Sequence, residues 1–346
     1  MIGSTKRRPR WGSAALPIPR GAISRYVVTM LRDEQPDEAG LHLALAGLPS
    51  GEALLNHDDA QLALNSLHEL HFRGFRGVSD DHEWQAELVL LRIQLEAALE
   101  AALREVVDCP ELPAAEDLPD FLFDMTAPSP GPSLSKYLAR RASLAEFTEF
   151  LIHRCAYHSK EADPYTWAIP RLAGEAKSAM VSVQADEYGN GRINMMHSEL
   201  FMQTLREVGL SDDYGTHIDR IPAPALVAVN AVNMFGLSRK FRGALAGHLS
   251  ALEMTSSIPN RNYGNGLRRL GFPAAATQFF DEHVEADAVH EQLAVRGLCA
   301  SLARQEPDQL PLIVFGVSTY LTLENRLADW LLGAWTDGRS SLRAVA

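Results

Sequence analysis

Apolar residues recur along most of this chain at spacings of three and four, the period of a helix that buries one face. Residues 23–32, 57–73 and 82–107 carry the pattern in the first third, and HEWQAELVLLRIQLEAALEAALREVV, residues 82–107, carries it most fully. It returns over 133–162, 170–188, 193–208, 222–235, 238–255, 274–304 and 311–334. No run alternates apolar and polar residues over the length of a strand, so an all-α bundle is predicted. Ser143 and Glu146 have the spacing of a capping box, and Pro164 and Pro170 are placed to close and open neighbouring helices. Between the two helical blocks, residues 109–132 hold six prolines, which read as a connector over the surface. The predicted order is a flexible basic arm (1–22), an N-terminal helical extension (23–108), the connector (109–132) and a metal-binding bundle (133–346).

Composition narrows the function classes. Asp and Glu number 44 against 32 Lys and Arg, a net charge of -12 that excludes a general nucleic-acid binder. Hydrophobic content of 46% with 22% charged residues is that of a globular chain rather than a disordered one. Cys109, Cys155 and Cys299 are far apart and form no CxxC pair, so a reducing, cytoplasmic setting is expected. No apolar run has the length of a signal peptide or a membrane span, and no membrane partner is expected. The long apolar face of 82–107 leads us to expect a homodimer that covers it.

The candidate chemistry lies in DEHVEADAVHE, residues 281–291. His283, Asp287 and His290 stand at i, i+4 and i+7, one stripe of one helix face, with no Lys or Arg among them. Such a stripe serves as half of a metal site, as a polar surface face, or as two core histidines bonded to an aspartate. If it binds metal, ligands from other helices must complete it. Glu161 stands just before Pro164, and Glu187 precedes His197 by ten residues. Ten residues of straight helix would turn these two roughly 80° apart. The intervening Gly189-Asn190-Gly191 offers a break that brings both inward, in a position where glycines otherwise cost roughly 1 kcal/mol each.

The candidate metal ligands are therefore Glu161, Glu187, His197, His283, Asp287 and His290. Three carboxylates and three imidazoles suit non-haem iron or manganese better than zinc. Three negative charges against two divalent ions leave about one positive charge, which would favour an anionic substrate group. Tyr157, His158, Phe201, Glu253, Met254 and Tyr263 are candidate pocket residues or supports of the ligands. Each also fits plain core packing, and Glu253 reads either as an extra carboxylate near the metal or as a satisfied buried acid. Arg261, Arg268 and Arg269 are candidates to meet a substrate carboxylate. No Glu-x-x-His, GxGxxG, Walker, GxSxG or HExxH motif is present, which counts against ferritin-like, nucleotide-binding and hydrolase readings.

A carboxylate, then a Glu ten residues before a His, then HxxxDxxH on a late helix resembles the haem-oxygenase-like non-haem diiron oxidases and oxygenases, the iron-containing redox enzyme family. KEADPYTWAIPRL, QADEYGNG, MHSELF, RGALAGHLSALEMTSS and FFDEHVEADAVHEQ carry the resemblance over roughly residues 133–340. It implies a haem-oxygenase-like helical bundle that holds two iron ions, cycling between Fe2+ and Fe3+, with the second position labile. It also implies O2 as co-substrate and a small organic molecule as substrate. The reactions implied are N-oxygenation, oxidative decarboxylation or C–C cleavage. With no dinucleotide motif in the sequence, an external electron donor is expected. Two alternatives remain open at this point. One is a cofactor-free oxidase on the same bundle, resembling the pyrroloquinoline quinone biosynthesis enzyme; the other is a non-catalytic helical binding protein.

Overall fold

The computed structural model describes residues 12–128 and 133–345; side chains of residues 286–289 lie outside that description. Most of the basic arm therefore falls outside the described residues. The helices are α1 (Ala22–Met30), α2 (Glu38–Ala46), α3 (Gly51–Leu55), α4 (Asp58–Glu69), α5 (Ala86–Val106), α6 (Leu118–Met125), α7 (Leu134–Arg140) and α8 (Leu144–His158). They continue with α9 (Asp163–Thr166), α10 (Gly174–Glu187), α11 (His197–Glu207), α12 (Ala223–Leu237), α13 (Arg242–Arg269), α14 (Ala274–Gln292), α15 (Ser301–Gln305) and α16 (Leu310–Thr336). Among the described residues the nearest thing to a strand is a single bridge between Ala14 and Phe75, so the chain is all-α. No described helix is long and apolar enough to cross a membrane.

The hydrophobic periods mark most of these helices, and the departures have identifiable causes. The segment read as 133–162 is two helices, because Ser143 caps a fresh start: its hydroxyl accepts from the Glu146 N–H while the Glu146 carboxylate accepts from the Ser143 N–H. The segment read as ending at 255 runs on to Arg269 with Pro259 inside it. An interior proline costs about 3 kcal/mol. Here the second half of α13 is held by burial of Asn260, Gly264, Gly266 and Leu267 and by packing against α7 and α14. The proline-rich connector contains α6, whose Leu118 and Leu122 are fully buried, so it is not a bare surface loop. The apolar face of α5 (Leu88, Leu91, Leu95, Leu99 and Leu103) is buried within this chain. That removes the reason given for a covering partner, although Leu90 and Ile93 remain exposed on its outer side.

Helix α13 is the spine of the bundle and packs along both α14 and α16. Its crossing with α16 is a reciprocal glycine contact. A Cβ on Gly247 would stand 2.0 Å from the Ile313 carbonyl oxygen, and one on Gly316 would stand 2.0 Å from the Ala244 carbonyl oxygen. Helix α14 passes directly into a π-helical stretch, Leu293–Ala300, that packs on α10 and α13. Wider π turns of this kind concentrate at functional sites.

The N-terminal helices are tied to this bundle by buried polar contacts. The Asp59 carboxylate accepts from the Ile23 and Ser24 N–H groups. Arg20 donates to the carbonyls of Ile218 and Ile221. On α4, the Glu69 carboxylate takes the Lys160 ammonium at 2.5 Å and the Tyr214 hydroxyl at 2.9 Å. Lys160 directly precedes Glu161, so this buried pair braces the backbone that presents a candidate ligand.

The glycine crossing generates a stability test. Gly316→Ala is expected to lower unfolding stability by about 1–3 kcal/mol, the usual cost of overpacking. Gly333→Ala on the same helix, where an added methyl meets nothing, is expected to be neutral or to stabilise by up to roughly 1 kcal/mol. Urea or thermal unfolding of the two variants beside the parent checks both signs.

Candidate metal centre

Four elements deliver the candidate ligands. Glu161 sits in the turn after α8, past its Ser159 cap. Glu187 is the last residue of α10 and His197 the first of α11. Between them Gly189, Asn190 and Gly191 take φ of +66°, +51° and +77°, left-handed values that a straight helix never uses. At Gly189 the reversal is tight, since a Cβ there would meet the Met196 nitrogen at 2.6 Å. This break turns Glu187 and His197 toward each other, Nδ1 to Oε2, at 2.9 Å.

Two overlapping groups result. Glu161, Glu187, His197 and His283 each present a ligand atom within 4.8 Å of the others, and so do Glu187, Glu253 and His290; all six residues are buried. Glu187 belongs to both. Asp287 lies in α14, but its side chain is outside the described residues. Glu253, which the sequence left between an extra carboxylate and a satisfied core acid, stands 3.4 Å from His290 Nδ1 and is only 4% exposed. With Glu253 added to Glu161, Glu187 and the sequence-assigned Asp287, four carboxylates would balance two divalent ions. The positive remainder inferred from sequence then disappears.

Whether these residues fit a metal is decided by their hydrogen bonds. Glu161 Oε2, Glu187 Oε2, His197 Nδ1 and His290 Nδ1 are buried and make no hydrogen bond. The Glu187–His197 pair is close enough for one but not aligned as one. Buried polar atoms left unsatisfied cost about 1–3 kcal/mol each, and a shared cation is the economical way to satisfy several at once. The other imidazole nitrogens are committed. His283 Nδ1–H donates to the Phe279 carbonyl at 2.8 Å, and His290 Nε2–H donates to Asp186 Oδ2 at 3.0 Å. Since carbonyls and carboxylates only accept, the nitrogens that face the two groups are His283 Nε2 and His290 Nδ1. This is the arrangement by which metal-binding histidines are oriented and made more basic.

The remaining sequence candidates divide. Tyr157, His158, Phe201 and Tyr263 line a cavity that reaches Glu161 and His283. His158 Nδ1 is 3.1 Å from Glu161 Oε2, and its ring packs on Phe201 with centroids 5.1 Å apart. Met254 lies elsewhere: its sulfur accepts from the Thr126 hydroxyl near α6. Arg268 is taken by Asp281, and Arg269 by the carbonyls of Leu138, Ala139 and Ala142. Sequence reasoning missed Asp186, the acceptor for His290, and the pair Arg154–Glu324 in the cavity wall. A half-buried Asp beside Glu187 has no local mark of this role, and residues 154 and 324 meet only through the tertiary fold.

Electrostatics follow from this crowding. Burial opposes ionisation of Glu161, but His158 and His283 outweigh it and hold its carboxyl well below the usual value. Burial likewise works against a charged His290. Glu253 and Asp186 outweigh it, and the imidazole is pushed up to about 9. That pKa is raised above the ordinary 6.5, so the stabilisation it contributes is complete below about pH 6.5 and is lost as pH rises through about 9. Metal-free protein is therefore expected to lose stability across this window, and His290→Gln to flatten the profile, as denaturant midpoints at stepped pH will show. A divalent ion must displace the same proton. Mn(II) affinity, measured by competition with a chelating dye, is expected to strengthen over the same window.

The family comparison agrees with this chemistry. The model of the iron-containing redox enzyme family matches residues 148–325, slightly over half of the chain. Over 189 residues the chain is 27% identical to nitrosourea synthase from Streptomyces achromogenes subsp. streptozoticus, covering 54% of this chain and 40% of that enzyme. A domain of unknown function with a heme oxygenase-like fold from Shewanella denitrificans OS217 superposes with a TM-score of 0.49 and 13% identity, over 66% of this chain and 96% of that one. With a family model spanning every described ligand candidate from Glu161 to His290, this chain belongs to the iron-containing redox enzymes.

Proposed function

We propose that this chain is an O2-dependent non-haem diiron oxidase or oxygenase that acts on a small organic molecule held in the cavity beside Glu161 and His283. The observation that carries the reading is the pair of ligand groups sharing Glu187, in which Glu161 Oε2, Glu187 Oε2, His197 Nδ1 and His290 Nδ1 are buried and make no hydrogen bond. Glu161, His197 and His283 would hold one ion, Glu253 and His290 the other, and Glu187 both, with Asp287 a further candidate from the sequence. Two ferrous ions held there would supply the electrons that activate dioxygen. The similarity to a nitrosourea synthase is a reason to include nitrogen-bearing compounds among the substrates tried.

The protein's own groups give the centre its environment. Phe279 and Asp186 fix the imidazoles of His283 and His290 through the nitrogens that do not face the ligand groups. Phe201 and Phe280 in the cavity wall keep bulk water from the substrate side. His158 lines that cavity beside Glu161, with its Nδ1 3.1 Å from Glu161 Oε2. It is the imidazole placed to pass a proton between Glu161 and a bound substrate. Electrons are returned from outside the chain by a separate donor.

Anaerobic loading with Fe(II), followed by desalting and iron counting, is expected to give about two irons per chain, and exposure to O2 to consume it. Glu187→Ala is expected to deplete both positions. Glu253→Ala and His290→Ala should leave about one. If His290→Ala consumed O2 as fast as the parent, the cofactor-free reading would be favoured. If no iron bound and the substitutions changed nothing but stability, the cluster would be structural and the proposal lost.

A further inference from the structure

The cavity beside the ligand groups has a wall that is largely aromatic and aliphatic, including Phe150, Phe201, Phe280 and Leu323. Arg154 is the one lysine or arginine among its lining residues, and it is not free to meet a ligand's charge. Its guanidinium forks onto Glu324, with Nη1–Oε1 at 2.7 Å and Nη2–Oε2 at 2.6 Å, and its face lies over the Phe150 ring at 5.5 Å. Tyr263 shares its remaining hydrogen bonding. Two-point pairing of this kind is among the strongest side-chain contacts, and it makes the pair neutral as a unit. No unclaimed cation compensates: burial pushes His153 down to about 3 and His248 down to about 4, so these two imidazoles are neutral near pH 7, and the other two in the wall, His158 and His283, both face Glu161, at 3.1 and 3.5 Å.

A carboxylate entering this space would face Glu324 and Glu161 without a cation of its own. An ammonium would find Glu324 already taken by Arg154 and Glu161 already faced by His158 and His283, and would lose its hydration for no return. An uncharged molecule meets neither obstacle. Its body lies against the rings, and neutral groups such as the Asn260 amide are there for a hydroxyl, amide or similar function. Resting on the reading that the metal centre reacts with what this cavity holds, we infer that the substrate is an uncharged molecule with an aromatic or hydrocarbon body. The Arg154–Glu324 pair acts as a charge filter that keeps carboxylates out. The filter has one removable half: without the Glu324 charge, Arg154 becomes a cation in an apolar wall, a site made for a carboxylate.

Three probes with one body separate these cases: 3-phenylpropanol, 3-phenylpropylamine and 3-phenylpropionate. Their affinities are measured by calorimetry at pH 7, with the full chain metal-free and again with Mn(II). In the parent the alcohol is expected to bind at least about tenfold more tightly than either charged probe. Glu324→Gln, which keeps a hydrogen-bonding partner for Arg154, is expected to raise propionate affinity about tenfold or more while the alcohol changes little. The double substitution Arg154→Met with Glu324→Leu removes both charges and is expected to keep the parent's preference. Ala228→Trp, which fills the cavity, should abolish binding of all three. Propionate binding as well as the alcohol in the parent would overturn the inference. So would an unchanged ratio in Glu324→Gln, binding that survives Ala228→Trp, or no binding of any probe to a parent whose unfolding transition is intact. Because the ratio is read without metal as well as with it, a chain that takes up no metal can still show the filter, and a metal-loaded chain can still lack it.

Discussion

Carboxylates and imidazoles buried together among apolar helices must have their charge compensated, and the rest of this structure is arranged around that requirement. Burial alone drives an acid toward its neutral form and a histidine toward its neutral form, each at a cost of several kcal/mol for an uncompensated ion. Glu161, Glu187, His197 and His283 crowd into one group and Glu187, Glu253 and His290 into the other, with ligand atoms within 4.8 Å of one another in each. A proton on His290 meets part of the requirement in the metal-free chain, held there by Glu253 and Asp186. A pair of cations would meet all of it.

Holding such a cluster requires a frame that does not relax. The glycine crossing of α13 and α16 brings two backbones into contact and fixes the helix that carries Glu253. The break at Gly189–Gly191 fixes the reversal that places Glu187 and His197 at the facing ends of α10 and α11. On the far side, the Glu69–Lys160 pair anchors the residue before Glu161 to α4. Each device is remote from the reacting space or only at its edge. Together they decide whether the ligand atoms converge within a few ångströms or point past one another.

The cavity follows a different rule from the centre. At the centre, charge is concentrated and left for a cation; in the cavity wall it is cancelled in place, with Arg154 and Glu324 spent on each other. An apolar space beside a charged cluster directs a bound molecule by shape and by neutral hydrogen bonds, and leaves the cluster's field to the metal ions. Tyr157, Tyr263 and Tyr320 line it with the neutral His153 and His248, and behind them the Tyr165 hydroxyl, hydrogen-bonded to His248 at 2.8 Å, continues that polar but uncharged character into the bundle.

Much of this was written in the order of residues. Helical period gave the all-α class, Ser143 and Glu146 gave a helix start, and the i, i+4, i+7 stripe on α14 put His283 and His290 on one face, because these are relations between near neighbours along one helix. The Gly-Asn-Gly break was legible for the same reason. Other features were not. Glu253 on a long helix looks like any acid until a second helix brings His290 to it. Pro259 reads as a stop until packing against α7 and α14 overrides it, Met254 reads as pocket until it is seen against Thr126, and the short α2 and α3 carry too few turns to show a period. Arg154 and Glu324, 170 residues apart, show no mark of each other in sequence. The sequence by itself determined which elements form and which residue types they offer, since propensity and periodicity act over a few residues. Only the tertiary structure decided which charges meet, because pairing across helices depends on the packing of backbones that no local pattern encodes.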